Sequence, residues 1–565
     1  MFDISPSHLY GICDMGSNGI RFSITDLTPI TARSLPTVFM DRLGLSLFDA
    51  QYSTGKKGPI PQPVIDVVLA GLLRFKATCA DFDVPETNIR VLATEATRTA
   101  VNSEDYRRQI KDATGWEVDM LPKEAEGRIG AMGVCSSFSA VDGLVMDLGG
   151  GSTQITWMQS KDGTVNISPK GSFSFPYGAA ALTRKLTEIQ SSSNPERETI
   201  DLQNKMKADF QDAYAKLELP ADMVVKAKSG TLTLYLSGGG FRGWGYLLMS
   251  QHRVSPYPIP IINGFQVQKR EFHSTDAVQY VASHQETFRV SIRRAAQVPA
   301  VAFLVNILIE ALPNIEEVRF CQGGVREGFL FESLPNEVRA QDPLPAASAK
   351  LATPSAPEIS ELLWSSLPSN ENNLGRFMPS SFQKPVVRAL ANMLFAHASL
   401  SKESTSLAAM YAPITGVLAA AHGVSHTDRA LLSLALCQRW EGELAPPHGS
   451  LQDRLRATLS KQEVFWCMYL GSVAKLVGDT YPAGVIKTKR LVFDAEWKDG
   501  LGKRGMQEGV KLTVQVREHD PMTDAEVFIE AIKKIESMGK KKNRVGGRDY
   551  GYSVPVKVSL NRDLT

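Results

Sequence analysis

Three glycine-rich segments, each at the end of an apolar run, constrain the fold of this chain more than any other feature. They are Asp14-Met-Gly-Ser-Asn-Gly19, Asp147-Leu-Gly-Gly-Gly-Ser-Thr153 and Ser237-Gly-Gly-Gly240. In the first two, an apolar strand ends in an aspartate, a Gly/Ser turn follows, and a Thr/Ile-rich strand returns. Glycine lets the main chain approach a ligand so closely that its N–H groups can donate to phosphate oxygens. One such turn is also an ordinary tight hairpin, whereas two copies of one layout predict a duplicated, two-lobed phosphate clamp.

The length and charge of the chain limit the classes of protein to which it can belong. Its 565 residues predict about three or four domains, and 43% apolar with 22% charged residues is an ordinary soluble composition. A net charge of +2 gives no reason to expect a nucleic acid or a membrane as partner. The six cysteines lack metal-site spacing, so we expect no disulfides, no zinc and no haem. Without a membrane-spanning run or a leader, the sequence predicts a cytoplasmic protein.

Alternating apolar runs and amphipathic stretches predict an α/β organisation for the first part of the chain. We divide this part into lobe I, residues 1–138, and lobe II, residues 139–335. The Pro- and Ala-rich stretch 336–358 is typical of a linker. Residues 359–480 have helical periodicity, and residues 485–565 predict a small α+β module.

Some local predictions concern the connections between elements. We expect Ser237–Gly240 and Gln322–Gly328 to be turns that follow strands. A helix is predicted over Ser103–Ala113, with Ser103 as its N-cap. Another helix is predicted over Ile414–Ala421.

Five segments in fixed order carry a resemblance to a known family: Ile12–Ile24, Val91–Asn102, Glu126–Val134, Val145–Ile155 and Gly323–Phe329. They are similar to the motifs of the exopolyphosphatase/guanosine pentaphosphate phosphohydrolase (Ppx/GppA) family. That family belongs to the superfamily of actin, sugar kinases and heat-shock chaperones. The resemblance therefore implies two actin-like (ribonuclease H-like) lobes with a phosphate site in the cleft between them, and a helical HD-like domain downstream. The additional C-terminal module resembles the fungal retrograde regulation branch of the family, which relays mitochondrial status to nuclear transcription.

The resemblance also implies a role for each candidate site residue. Glu126 corresponds to the catalytic glutamate that activates the attacking water. Asp14 and Asp147 correspond to the two strand-end aspartates that assist catalysis and hold Mg²⁺ or its waters. Arg98 corresponds to an arginine that binds phosphate. The expected phosphate- or nucleotide-binding residues of the glycine segments are Ser17, Asn18, Gly19, Gly149, Gly150, Gly151, Ser152, Gly239 and Gly240.

Two departures from the family pattern bear on catalysis. The family commonly has a glutamate where this chain has Gln154, and an amide cannot take a proton and is a weaker metal ligand. The first loop commonly ends in serine where this chain has Gly19, which removes one hydroxyl. We therefore expect ligand binding to be retained and hydrolysis to be weak or lost. In the helical domain, Thr427 separates His426 from Asp428, so the metal-binding His-Asp pair is broken and we expect no metal there.

Two functions follow from this pattern. The first is a nucleotide- or phosphate-binding regulator of mitochondria-to-nucleus signalling, which binds ATP, guanosine polyphosphate or polyphosphate and acts through protein partners. The alternative is a metal-dependent phosphoanhydride hydrolase with Glu126 as general base. A kinase on the same fold is a distant third, and a homodimer is left open. The basic run Lys540–Arg544 is interpreted as a solvated loop in preference to a nuclear localisation patch.

Overall fold

The structure is a computed structural model that describes residues 7–284, 292–312, 315–369, 378–446, 448–502 and 505–564. The chain forms two compact units. The first comprises Met1–Arg253, Ile262–Pro343 and Ala421–Val424. The second comprises Val254–Ile261, Leu344–Ala420 and Ser425–Thr565.

Lobe I of the first unit is a five-stranded sheet with helices packed on it. Its strands are β1 (Leu9–Gly16), β2 (Gly19–Asp26), β3 (Thr37–Leu43), β4 (Ile89–Ala93) and β5 (Val118–Met120). Its helices are α1 (Leu47–Gln51), α2 (Gln62–Asp81), α3 (Glu95–Arg98), α4 (Ser103–Thr114) and α5 (Lys123–Ser136). The sheet order is β3-β2-β1-β4-β5, with β2 antiparallel to both its neighbours and β1, β4 and β5 parallel.

Helix α2 shows why these segments fold together. Its buried apolar residues Ile65, Val68, Leu72, Phe75 and Cys79 recur at spacings of three and four, which places them on one face. That face packs into the lobe I core with the strand residues of β1, β2 and β4. The hydrophobic pattern of the sequence is thus sufficient to dock this helix.

Lobe II of the first unit repeats the plan of lobe I. Its strands are β6 (Asp142–Leu148), β7 (Thr153–Lys161), β8 (Thr164–Ile167), β9 (Phe173–Phe175), β10 (Leu232–Ser237), β11 (Gln266–Gln268) and β12 (Ile315–Phe320). Its helices are α6 (Ala179–Gln190), α7 (Pro195–Lys216), α8 (Ala221–Ser229), α9 (Gly238–Ser250), α10 (Lys269–Phe272), α11 (Thr275–His284), α12 (Ile292–Ala311) and α13 (Val325–Ser333). Helix α14 (Asn336–Arg339) follows lobe II directly. The order β8-β7-β6-β10-β12 has the same strand directions as β3-β2-β1-β4-β5. The predicted duplication is present in the topology.

Helices α5 and α13 pack so closely that their backbones touch. A Cβ added at Gly328 of α13 would lie 1.8 Å from the carbonyl oxygen of Ile129, and one at Gly133 would lie 2.3 Å from that of Gly324. Glycine at both positions therefore permits this contact. A second core, which includes residues from both lobes, surrounds the two helices.

Helix α12 is long and apolar enough in Arg294–Ala311 to cross a membrane by length and composition, contrary to the expectation that no such run exists. More than half of that segment, 56%, is buried inside the protein. It packs against α6, α7 and α9 of lobe II. This burial is typical of a core helix.

The second unit begins with helices and ends with a small sheet. Its helices are α15 (Pro343–Ser348, of which Pro343 belongs to the first unit), α16 (Ala356–Ser365), α17 (Lys384–Met393), α18 (Lys402–Tyr411), α19 (His426–Arg439), α20 (Gly449–Ala457), α21 (Lys461–Thr480), α22 (Pro521–Asp524) and α23 (Glu526–Met538). Strands β13 (Leu491–Leu501) and β14 (Gln507–Val516) are antiparallel, and β15 (Val556–Asn561) pairs parallel to β14. Helix α23 packs on both β15 and α21.

Two of the predicted turns are wrong. Strand β10 passes directly into α9 at Gly238, and α13 begins at Val325, inside the segment expected to be a turn. Gly238 has a φ of +89°, and a Cβ there would lie 2.4 Å from the carbonyl oxygen of Leu148. The glycine is needed for this close approach at the start of a helix rather than for a hairpin.

Other connections also differ from prediction. The N-cap of α4 is Asn102, and Ser103 is its first residue. Residues 414–421 form turns rather than a helix. The buried Arg429 side chain donates hydrogen bonds from Nη1 to the carbonyl oxygens of Pro413 and Leu418, which are therefore bonded to a side chain instead of to helical N–H groups.

The stretch 336–358, predicted as a linker, contains α14, α15, the 3-10 turn Ala349–Leu351 and the start of α16. Pro343 and Pro345 lie in the first turn of α15 and Pro357 in that of α16, where a missing N–H costs no helical hydrogen bond. The five-part division of the chain otherwise stays a prediction.

Candidate functional site

The first two glycine segments face each other across a cleft in the first unit. The loop between β1 and β2 is closed by Ser17 and Asn18, and the loop between β6 and β7 spans Gly149–Ser152. A Cβ added at Gly150 would lie 2.9 Å from the Cβ of Asn18. The two loops therefore approach within contact distance.

Almost all the predicted site residues line this cleft, which encloses about 110 Å³. They are Asp14, Ser17, Asn18, Gly19, Glu126, Asp147, Gly149, Gly150, Gly151, Ser152, Gly239 and Gly240. The glycines of α9 line it at the N-terminus of a helix, where main-chain N–H groups point outward and favour an anion. The residues come from both lobes, as the duplicated clamp predicts.

Glu126 lies in the first turn of α5, and its side chain is only 14% exposed. Burial raises the pKa of Glu126, the charge and hydrogen bond of Arg98 lower it, and Glu95 and Asp147 raise it; together they bring this pKa to about 7. Nη2 of Arg98 donates to Oε2 of Glu126 at 3.1 Å. A carboxylate with a pKa near neutrality is suited to exchange a proton with water.

Arg98, predicted as a phosphate ligand, makes its hydrogen bonds and its ion pair with other residues of this protein. Besides its ion pair with Glu126, it donates from Nη1 to the carbonyl oxygen of Leu121. In this arrangement it orients Glu126. Its contact with phosphate stays a prediction.

Asp147 lies near the end of β6, directly opposite Gln154 of β7 in the strand register. Oγ of Ser237 donates to Oδ2 of Asp147. Gln154 lines the cleft together with Glu126 and Asp147, so the amide is present where the family commonly places a carboxylate. The substitution is inside the site.

Asp14 of β1 is buried beside Arg21 of β2, with 3.7 Å between Oδ2 and Nη1. Burial raises the pKa of Asp14, and the positive charges of Arg21 and Arg326 offset part of this effect. Among the described residues, no three His, Cys, Asp or Glu side chains are grouped to hold a metal ion. Mg²⁺ commonly takes one or two carboxylates and completes its shell with water and phosphate oxygens, so Asp14 and Asp147 fit this ion.

Comparison with known families agrees with this geometry. The Ppx/GppA phosphatase family matches residues 27–337, which is more than half of the chain. The chain belongs to the Ppx/GppA family. The RTG2 C-terminal domain matches residues 342–563. The two lobes with matching sheets are therefore the actin-like α/β part of a Ppx/GppA protein.

Individual relatives cover different shares of this Ppx/GppA protein. It is similar to retrograde regulation protein 2 of Saccharomyces cerevisiae, with 39% identity over 515 residues that cover 87% of this chain and 84% of the relative. Exopolyphosphatase 1 of Mycobacterium tuberculosis is 28% identical over 343 residues, 58% of this chain and 88% of the relative. The solved structure of the Aquifex aeolicus PPX-GPPA enzyme, with 23% identity and a TM-score of 0.45, covers 58% of this chain and all of that chain.

The Ppx/GppA cleft of this chain also contains Arg21, which sequence reasoning missed, and Arg242, whose position close to Gly239 and Gly240 the sequence already indicates. Arg21 and Arg242 line it, and Nη1 of Arg242 donates to the carbonyl oxygen of Gln322 at 2.6 Å. Burial, and then the charge of Arg242, lowers the pKa of Arg21 to about 10. Burial followed by Arg242 and Arg42 likewise lowers the pKa of Arg294 to about 9. Arginines that repel one another near glycine loops favour binding of an anion.

Sequence reasoning also missed two glutamates, of which Glu95 lines the cleft and Glu327 does not. Glu95 lines the cleft, and a Cβ at Gly151 would lie 2.8 Å from its Oε2. Glu327 of α13 is buried; burial would raise its pKa, but Arg326, His422 and main-chain N–H groups together lower the pKa to about 2. Both belong to segments quoted above as motifs, yet no spacing rule distinguishes them from ordinary surface glutamates.

Proposed function

We propose that this protein is a nucleotide- or phosphate-binding regulator of mitochondria-to-nucleus retrograde signalling. Its similarity to retrograde regulation protein 2 extends over both the Ppx/GppA part and the C-terminal part. One observation supports ligand binding above all: two glycine loops, two aspartates and two arginines meet in one cleft. In this proposal, lobe closure on the ligand is the signal, as expected for a site between two hinged lobes.

The proposed ligand is a phosphate chain carried by ATP, a guanosine polyphosphate or polyphosphate. Main-chain N–H groups of Gly150–Ser152 and of the α9 N-terminus would donate to its oxygens, while the N–H of Gly149 closes the loop by donating to the carbonyl oxygen of Ser152. Asp14 and Asp147 would hold Mg²⁺, which neutralises phosphate charge when bound. Arg21 and Arg242 would neutralise the remaining negative charge.

Hydrolysis is the second candidate, favoured by the raised pKa of Glu126. Its carboxylate would take a proton from water as the water oxygen attacks the terminal phosphorus, and the shortened phosphate chain would leave with the bond electrons. Arg98 would orient that carboxylate. Hydrolysis would be slower with Gln154 than with a glutamate at this position, because an amide carries no negative charge and cannot accept a proton.

The remaining parts of the proposal concern the rest of the chain. The helical part of the second unit would be HD-like in origin without a metal, and the C-terminal module would present a surface to regulatory protein partners. Within the described residues, His426 is occupied structurally: Nε2 contacts the carbonyl oxygen of Ile261 at 2.9 Å, and Asp428 caps α19. A cytoplasmic location and a homodimer belong to the same proposal.

Calorimetry and phosphate release together test the two candidates. Purified protein with Mg²⁺ would be titrated with ATP, guanosine tetraphosphate and polyphosphate, and phosphate release from each would be measured. The regulator proposal expects binding in wild type and Glu126→Gln, weaker binding in Asp147→Ala, and little release. Turnover that disappears in Glu126→Gln would establish the hydrolase instead, and absence of binding to all three would overturn the regulator.

A further inference from the structure

A second cavity, of about 520 Å³, lies in the second unit. Its walls come from the end of α20, the first half of α21 and the segment that follows the 3-10 turn Lys541–Asn543. All three belong to the part that matches the RTG2 C-terminal domain. The volume is within the range of ligand pockets.

One part of this cavity is apolar. Val464 is buried, Leu459, Met468 and Val545 are half-buried, and all four line it. Burial of one Leu- or Phe-sized side chain in such a space stabilises a complex through the hydrophobic effect. The cavity therefore favours a ligand with an apolar group.

The same cavity carries one cation from each wall. Arg456 lies in the last turn of α20, Lys461 begins α21, and Arg544 is the last residue of the basic run Lys540-Lys-Lys-Asn-Arg544. Nζ of Lys461 is held 2.9 Å from the carbonyl oxygen of Tyr550. Asp453 also lines the cavity and lies 3.4 Å from Arg456, so it offsets one of the three positive charges.

We propose that this basic cavity is the docking site for an acidic segment of a partner protein. An apolar side chain of that segment would enter the cavity, and flanking carboxylates would pair with Arg456, Lys461 and Arg544. The end of the basic run, Asn543 and Arg544, forms part of one wall of this site, whereas Lys540, Lys541 and Lys542 are exposed, as expected for a solvated loop. The cavity supplies the partner surface that the proposed function requires, and it uses none of the cleft residues.

The chemistry favours a peptide over a nucleic acid. A nucleic acid backbone follows an extended positive groove and stacks its bases on aromatic side chains. Here Asp453 interrupts the positive charge inside the cavity, and outside it Asp549 pairs with Lys541 of the basic run at 3.4 Å. The apolar side chains among the described lining residues are aliphatic or methionine and none is aromatic, which suits an aliphatic anchor.

Fluorescence anisotropy with the full chain tests the proposal. The probe is a fluorescein-labelled peptide of eight Asp and Glu residues around a central leucine, and the comparison probe has serine in place of leucine. We expect roughly ten-fold weaker binding of the serine peptide. Arg456→Glu/Arg544→Glu should weaken the leucine peptide by at least about ten-fold, and Ala457→Trp, which fills the cavity without a charge change, should do the same.

The matched control reverses two exposed lysines of the same unit, Lys487→Glu/Lys489→Glu, and should bind as wild type. Asp147→Ala should also bind as wild type, which separates this test from that of the cleft. Circular dichroism melting checks that each variant is folded. Equal weakening by the control, equal affinity for both peptides, or preference for a 20-nucleotide RNA or polyphosphate over the peptide would each overturn the proposal.

Discussion

Glu126 shows how burial changes the chemistry of a single residue. Burial raises its pKa from the ordinary 4.5 to about 7, so the folded protein holds this proton more tightly than the unfolded chain does. The associated stability is fully present below pH 4.5 and is lost as the pH rises through 7. An amide at this position mimics the protonated form at every pH.

Glu126→Gln should therefore be more stable than wild type at pH 8 and nearly equal to it near pH 4.5. The difference in the free energy of unfolding should reach up to about 3 kcal/mol. Urea unfolding of both proteins at the two pH values measures it. A stability difference that is the same at both pH values would show that the buried charge is not its cause.

Glu327 is a second buried glutamate, and its pKa is lowered where that of Glu126 is raised. Burial alone would raise its pKa, but Arg326, His422 and the main-chain N–H groups of the α13 cap lower it to about 2. Its contribution to stability is present above pH 4.5 and is lost as the pH falls through 2. Glu327→Gln should lower the free energy of unfolding by roughly 3 kcal/mol at pH 7. Unfolding at pH 3 should show a clearly smaller loss; an equal loss would contradict the charge argument.

At the scale of elements, the contact between α5 and α13 positions Glu126. Gly328 touches the backbone of Ile129, one turn beyond Glu126 in α5. Gly328→Ala should force the helices apart and cost about 1–3 kcal/mol or more. Gly130→Ala is the matched control, because a Cβ there meets no atom within 4 Å and alanine favours a helix. Thermal unfolding of both variants checks the contrast, and equal melting temperatures would contradict it.

At the scale of the whole molecule, the net charge does not describe the local charge of the cleft. The net charge of the chain is only +2, yet Arg21 and Arg242 both line the cleft. A phosphate ligand at about one hundred times its Kd should stabilise the first unit by roughly 2.7 kcal/mol. Calorimetric melting with polyphosphate and Mg²⁺ should show this increase at low salt and a smaller one at 0.5 M salt, because screening weakens the attraction. Asp147→Ala should reduce the increase; a salt-independent increase would argue against an electrostatic site.

The sequence by itself determined the features that depend on neighbouring residues. The strands that carry Asp14 and Asp147 near their ends, the glycine loops after them and the duplicated α/β plan follow from local conformational rules and hydrophobic periodicity. The family assignment follows from five ordered motifs and is confirmed. These features require no knowledge of what lies far along the chain.

Only the tertiary structure decided the contacts between distant segments. It pairs Arg98 with Glu126, brings Arg242 of α9 beside the loop of β1 and β2, and begins a helix at Gly238 where local rules favour a turn. It also places Asn543 and Arg544, at the end of the basic run, at one cavity with α20 and α21. Ion pairs, desolvation and backbone contacts act through space, so the residues that share them have no characteristic spacing in the sequence.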